Sequence, residues 1–203
     1  MTHDTDFGES WQPSLMARYK THAPDLFHPP EVMFAKKQER PISFPSYVWT
    51  SGCTIYALFA KRDIFECFRS DSDDVLVENI SMLGKPPQKW WDLWDAKYDF
   101  LNKNGEWDAR PTRSCANEFT RLPARVDYIA EDREGSMTDE ELGDLLEPFE
   151  SMFRFLPEDR MSITEIANGP WMKKWGLPAF QAVQQAKNES DSASEICRRP
   201  TKH

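Results

Sequence analysis

Residues 43–59 constrain the chain more than any other stretch, because their apolar side chains surround a helical axis instead of lining one stripe of it. Val48, Trp49, Cys53, Ile55, Tyr56, Leu58 and Phe59 point around the whole circumference, and a helix that is apolar on all sides is a buried one. Gly52 in its middle costs about 1 kcal/mol relative to Ala. That cost makes sense where another backbone approaches closely.

The rest of the pattern is helical too, so the fold class is mainly α. The run after Pro29 gives one or two helical turns, ending in the charged residues 35–40. Asp73 or Asp74 opens a further helix, with Val75, Leu76, Ile80 and Leu83 at helical spacing and Gly84 as C-cap. Lys85-Pro86-Pro87 stops it. Trp90, Trp91 and Trp94 read as anchors to a core. Thr138-Asp139-Glu140-Glu141 is a capping box leading an amphipathic helix through Leu142, Leu145, Phe149 and Met152. Ser162-Ile163-Thr164-Glu165 is a second box, before a helix near Trp171. Residues 1–28 lack periodicity and read as a loop, and residues 102–113 as a turn-rich connector. Residues 179–203 read as a polar, disordered tail.

Composition narrows the function. The 34 acidic and 25 basic residues leave a net charge of −9, which argues against a nucleic-acid surface. No apolar run approaches the ~18–20 residues that span a bilayer, so no membrane role is expected. The four cysteines are scattered without a C-x-x-C pair, pointing to reduced thiols in the cytoplasm or nucleus.

Two triplets punctuate the first part of the chain, Asp6-Phe7-Gly8 and Pro29-Pro30-Glu31, with Asp6 and Glu31 25 positions apart. Further on stand Ser46-Tyr47-Val48-Trp49-Thr50-Ser51-Gly52, Leu156-Pro157-Glu158-Asp159-Arg160 with Ser162-Ile163-Thr164-Glu165, and Pro170-Trp171. In this order they resemble the activation segment, the D-x-W-S-x-G helix start, the D-P-x-x-R-x-[ST]-x-x-E element and the H-P-[WF] closure of eukaryotic protein kinases. Residues 80–87 and the Pro-Pro-Glu triplet are similar to the CMGC group, and to fungal SR-protein kinases within it.

The resemblance implies a protein-kinase large-lobe helical bundle lacking the N-lobe and catalytic loop. Residues 1–28 would be the activation segment, holding Phe7, Gly8 and Thr21 and closed by Pro30, and residues 29–178 the helices. It implies a buried ion pair between Glu31 and Arg160, and Asp6 as a magnesium ligand. A complete family member binds Mg²⁺ and ATP. These 203 residues contain no Gly-rich phosphate loop, ATP-anchoring Lys or H-R-D loop, so no catalytic or cofactor-binding residue is assigned and neither Mg²⁺ nor ATP is expected to bind this chain alone.

Four positions depart from the family pattern. Tyr47 replaces an Asp that anchors the catalytic loop, His28 an Arg, and Gly169 a His, while Pro148 falls inside a helix at a cost of about 3 kcal/mol or a kink. Two functions stay open: a truncated or degenerate serine/threonine kinase domain, inactive as this chain, or a non-catalytic, pseudokinase-like interaction module. The first implies a Ser/Arg-rich substrate for a complete parent. Either implies a protein partner or a chaperone for the exposed apolar surface of residues 43–59.

Overall fold

The computed structural model describes residues 11–67, 71–106, 120–132 and 137–197, without the side chains of 131–132 and 190–197. In chain order its helices are α1 (Glu31–Ala35), α2 (Phe44–Ala60), α3 (Ser72–Leu83), α4 (Gln88–Leu93), α5 (Lys97–Phe100), α6 (Leu122–Asp132), α7 (Asp139–Met152), α8 (Ile163–Ala167) and α9 (Leu177–Cys197). This is the mainly helical architecture that the sequence pattern implies.

Helix α2 organises the larger core. Pro45 pre-sets its first turn, the Ser46 hydroxyl accepts the Ser43 N–H at 3.4 Å, and Lys61 ends it in a left-handed conformation. Its buried residues include Val48, Trp49, Cys53, Tyr56 and Ala60. Trp49 stacks on Phe65 at 5.6 Å and meets the Phe153 ring edge-on at 5.0 Å. Leu142, Leu145 and Phe149 of α7 and Val126 and Ile129 of α6 complete this cluster.

Burial of α2 is not all-round, contrary to its pattern. Phe44, Tyr47 and Leu58 are 64%, 42% and 72% exposed. With Ser51 and Thr54 they recur at alternating three- and four-residue intervals, so one stripe of the helix faces outward. The neighbour at Gly52 also differs from the expected backbone. A Cβ there would lie 2.9 Å from the Phe153 ring and 3.3 Å from Met152 Cβ, so side chains at the end of α7 require the glycine.

A second core forms where α1, α3 and α4 meet. Phe34 stacks on Trp90 at 5.2 Å, and Trp94 stacks on Phe100 while its indole donates to Asp73 at 2.7 Å. All three tryptophans of this stretch are buried. Helix α3 begins slightly earlier than its acidic pair suggests, because the Asp71 carboxylate accepts the N–H groups of Asp73 and Asp74.

Toward the C-terminus, Thr138 caps α7 by accepting the Glu141 N–H at 3.1 Å. The helix runs unbroken across Pro148, whose missing N–H leaves the Asp144 carbonyl without its helical donor. The Asp144 carboxylate is itself engaged. Lys174 and the Trp175 indole donate to it at 2.6 and 2.8 Å, which docks the turn Met172–Gly176 onto α7. The Lys174 bond, then the Trp175 bond, hold the Asp144 carboxyl below the usual carboxylate range.

Residues 179–203 were expected as a disordered tail, yet α9 carries helix through Cys197. Ala, Gln and Lys dominate its first half, and all three favour helix. Residues 177–189 are exposed throughout, so local propensity and not packing supports this helix. No helix among the described residues is long and apolar enough to cross a membrane.

Two glycines give opposite expectations. Gly143 lies in α7 with nothing within 4 Å of a built Cβ, so Gly143→Ala should raise stability by about 1 kcal/mol. At Gly52 the same helical gain meets an overpacking cost of about 1–3 kcal/mol. Thermal melts should therefore show a higher midpoint for Gly143→Ala and a lower one for Gly52→Ala. Equal increases would mean that Phe153 does not occupy the place described.

Candidate functional site

The segment before α1 has little regular structure of its own beyond the single turn Asp25–Phe27, so contacts outside it must hold it. That role falls to Glu31, the first residue of α1. Arg160, just after the single turn Pro157–Asp159, forks onto it. Nη1 donates to Oε1 at 2.8 Å and Nη2 to Oε2 at 2.6 Å. The guanidinium also donates to the carbonyls of Arg154 at 2.9 Å, Pro45 at 2.9 Å and Phe155 at 3.1 Å. These bonds occupy all five N–H donors that arginine possesses. Ser46 of α2 donates to Glu31 Oε1 at 2.8 Å, and the guanidinium lies 5.1 Å from the centre of the Trp49 ring.

The side chains of Arg160 and Glu31 are 0% and 10% exposed. Removing water from two charges is costly, and parallel charge-assisted bonds with every donor satisfied are what make such a pair tolerable. An outer tie runs alongside, since Arg40 forks onto Glu158 at 3.3 and 3.0 Å. Glu158 is held below the usual carboxylate range by its own backbone N–H first and by Arg40 second.

The loop itself is shaped by short local bonds. Thr21 Oγ1 accepts the Ala23 N–H at 3.1 Å, and the His28 ring bonds the Ala23 carbonyl at 2.8 Å. The Thr50 hydroxyl of α2 donates to the Phe27 carbonyl, and Ile42 donates to that of Arg18. Pro29 and Pro30 are buried, and Thr21 is half-buried. Between this loop, α1 and α3 lies a cavity of about 510 Å³ that Thr21, His28 and Pro30 help to line.

Among the residues singled out in the sequence, the structure therefore brings Glu31 and Arg160 together and sets Thr21 and Pro30 on one cavity. Asp6, Phe7 and Gly8 lie outside the described residues. At Tyr47, where the family carries an anchoring carboxylate, the hydroxyl accepts a bond from the Trp11 indole, and Arg18 lies over the Trp11 ring. Beside Gly169 and Trp171 lies a cavity of about 90 Å³.

One buried pair carried no expectation from sequence. Arg125 of α6 donates to Glu78 of α3 at 3.0 Å, to Thr120 O at 2.9 Å, and to the Ile64 carbonyl. Tyr56 closes the same corner by donating to the Arg125 carbonyl at 2.8 Å. The signal was present: Leu122, Val126 and Ile129 recur at helical spacing, and all three are buried.

Burial pushes the Cys53 thiol up, and burial pushes the Tyr56 hydroxyl up to about 12, so neither is an activated nucleophile. Among the described residues no group of three or more His, Cys, Asp or Glu could hold a metal.

No protein-family model matches the chain. Two curated proteins are similar to it, serine/threonine protein kinases from two strains of Aspergillus fumigatus. Each is 24% identical over 154 residues, which is 73% of this chain and 35% of the relative. The chain thus spans about a third of the length of the curated relatives it matches. The likeness is distant. It extends to serine/threonine protein kinases in general, without a finer grouping.

The clamp gives a direct expectation. Glu31→Gln alone should destabilise the fold by about 3–5 kcal/mol, because it strands a buried guanidinium. Adding Arg160→Met should recover part of that loss, giving a non-additive double-mutant cycle in denaturant. Simple additivity would show that the two residues do not share an interaction.

Proposed function

We propose that the chain forms the helical lobe of a serine/threonine-kinase-type domain and that, as 203 residues, it does not itself transfer phosphate. The Glu31–Arg160 fork carries this reading. It joins the end of the Pro-Pro-Glu loop to the hairpin before α8, as the family resemblance implies for an activation segment. Phosphoryl transfer needs metal ions, a phosphate-binding Lys and an Asp that orients the hydroxyl. Of these only Asp6 has an assignable place in the sequence. ATP and Mg²⁺ belong to a complete parent domain, whose substrate would be Ser/Arg-rich protein if the SR-protein-kinase likeness of residues 80–87 holds. The net charge of −9 suits such a basic substrate.

The outward stripe of α2 supports a protein partner, either the remainder of such a domain or a chaperone. Phe44 and Tyr47 adjoin Met161 and Ile163, which are 41% and 51% exposed. Contiguous apolar surface of this kind marks interaction sites. It also gives a specific footing to the second reading, a non-catalytic interaction module.

Titration calorimetry of residues 1–203 with ATP and Mg²⁺ tests the proposal. No micromolar affinity is expected, and no phosphorylation of a basic Ser-rich peptide. A micromolar nucleotide affinity would falsify it. In the same preparation a hydrophobic dye should bind the α2 stripe, and Phe44→Gln with Leu58→Lys should remove most of that signal without lowering the melting midpoint. An unchanged dye signal would discard the stripe as an interaction surface.

A further inference from the structure

The outward stripe of α2 already has one stretch of this chain resting on it. Phe44, Tyr47 and Leu58 of the stripe are exposed, and so is Thr54 between them. The segment ahead of α1 meets α2 at its start, where Ile42 donates to the Arg18 carbonyl at 2.8 Å. Further back along that segment, Trp11 reaches the first turn of α2. Its indole donates to the Tyr47 hydroxyl, the two rings lie 6.3 Å apart, and the Arg18 guanidinium lies 5.5 Å from the centre of the Trp11 ring. Trp11 is the first residue that the structure describes, so residues 1–10 are joined to the fold at a point on the stripe itself.

Reach and charge single out Phe7 as the group that this attachment brings to the stripe. Leu58 lies about 16 Å beyond Tyr47 along the helix, at 1.5 Å per residue. Phe7 stands four positions before Trp11, and an extended chain covers about 13 Å in that interval. The two side chains span the remainder. Charge sets the direction. Residues 4–9 contain Asp4, Asp6 and Glu9 and no Lys or Arg. Glu165 borders the Phe44 end of the stripe, whereas the exposed Lys61 follows Leu58 at the other end. Attachment through Trp11 also holds the Phe7 ring at a local concentration that a separate partner must exceed. We propose that Phe7 packs on Thr54 and Leu58, so that residues 1–10 cover the outward stripe of α2 and compete with any protein partner for it. This rests on the stripe being an interaction surface, and names what occupies it in the isolated chain.

The test uses the full chain with the photo-cross-linker p-benzoylphenylalanine in place of Phe7. Illumination should link position 7 to residues 54–61 of the same chain, mapped by mass spectrometry of the monomer band. Phe7→Ser should raise hydrophobic-dye binding roughly twofold, because an aromatic ring no longer covers apolar surface. The same change should have no effect once Leu58→Lys is present. Three results overturn the proposal. Links outside residues 54–61, or none, would place Phe7 elsewhere. Links between two chains would give the stripe to a second copy. Equal dye binding by Phe7→Ser and the wild type would show that the ring covers nothing there. The cross-link map locates Phe7 wherever the dye binds, so failure of the stripe as a partner surface and failure of this packing are told apart.

Discussion

A single buried ion pair sets how the two ends of this fold are joined. Glu31 and Arg160 are separated by 129 positions, yet they form parallel bonds of 2.8 and 2.6 Å with the guanidinium fully enclosed. Such a pair contributes little net stability against a well-packed apolar alternative, but breaking it is severe. Its effect is therefore on specificity. The loop ahead of α1 docks where five arginine donors and the Ser46 hydroxyl are satisfied together.

The same device appears at the other corner. Arg125 and Glu78 pair at 8% and 3% side-chain exposure, tying α6 to α3 and, through the Ile64 carbonyl, to the turn after α2. Between the two ties lie the aromatic contacts of Trp49, Phe65 and Phe153. Polar clamps fix the register of the outer segments, and ring packing around α2 supplies the burial. The outward stripe of α2 belongs to neither, and its Phe44, Tyr47 and Leu58 stay exposed.

Much of this was legible in the residues. The circumferential apolar run gave α2, the Ser162–Glu165 box gave the start of α8 with both reciprocal bonds formed, and a Glu and an Arg in the family's order gave the clamp. Other features were hidden for physical reasons. Helix α6 has only three large aliphatic residues, Leu122, Val126 and Ile129, spaced among charged ones, so its amphipathic period is easily overlooked. The burial of α2 was overstated, because a wheel counts hydrophobicity and cannot show which neighbours are available to cover it. Polarity alone points to a disordered tail, although its Ala, Gln and Lys content favours helix.

The docking of the loop depends most on the Glu31–Arg160 clamp, and the guanidinium protons report on it directly. In ¹⁵N-resolved spectra of the Arg160 side chain, the account predicts separately resolved Nη protons that exchange slowly with water, because each donor is engaged and the side chain is 0% exposed. Arg40, whose fork onto Glu158 is half exposed, serves as the fast-exchanging internal reference. A single averaged Nη signal for Arg160, exchanging as fast as that of Arg40, would contradict the clamp and with it the docking of the loop.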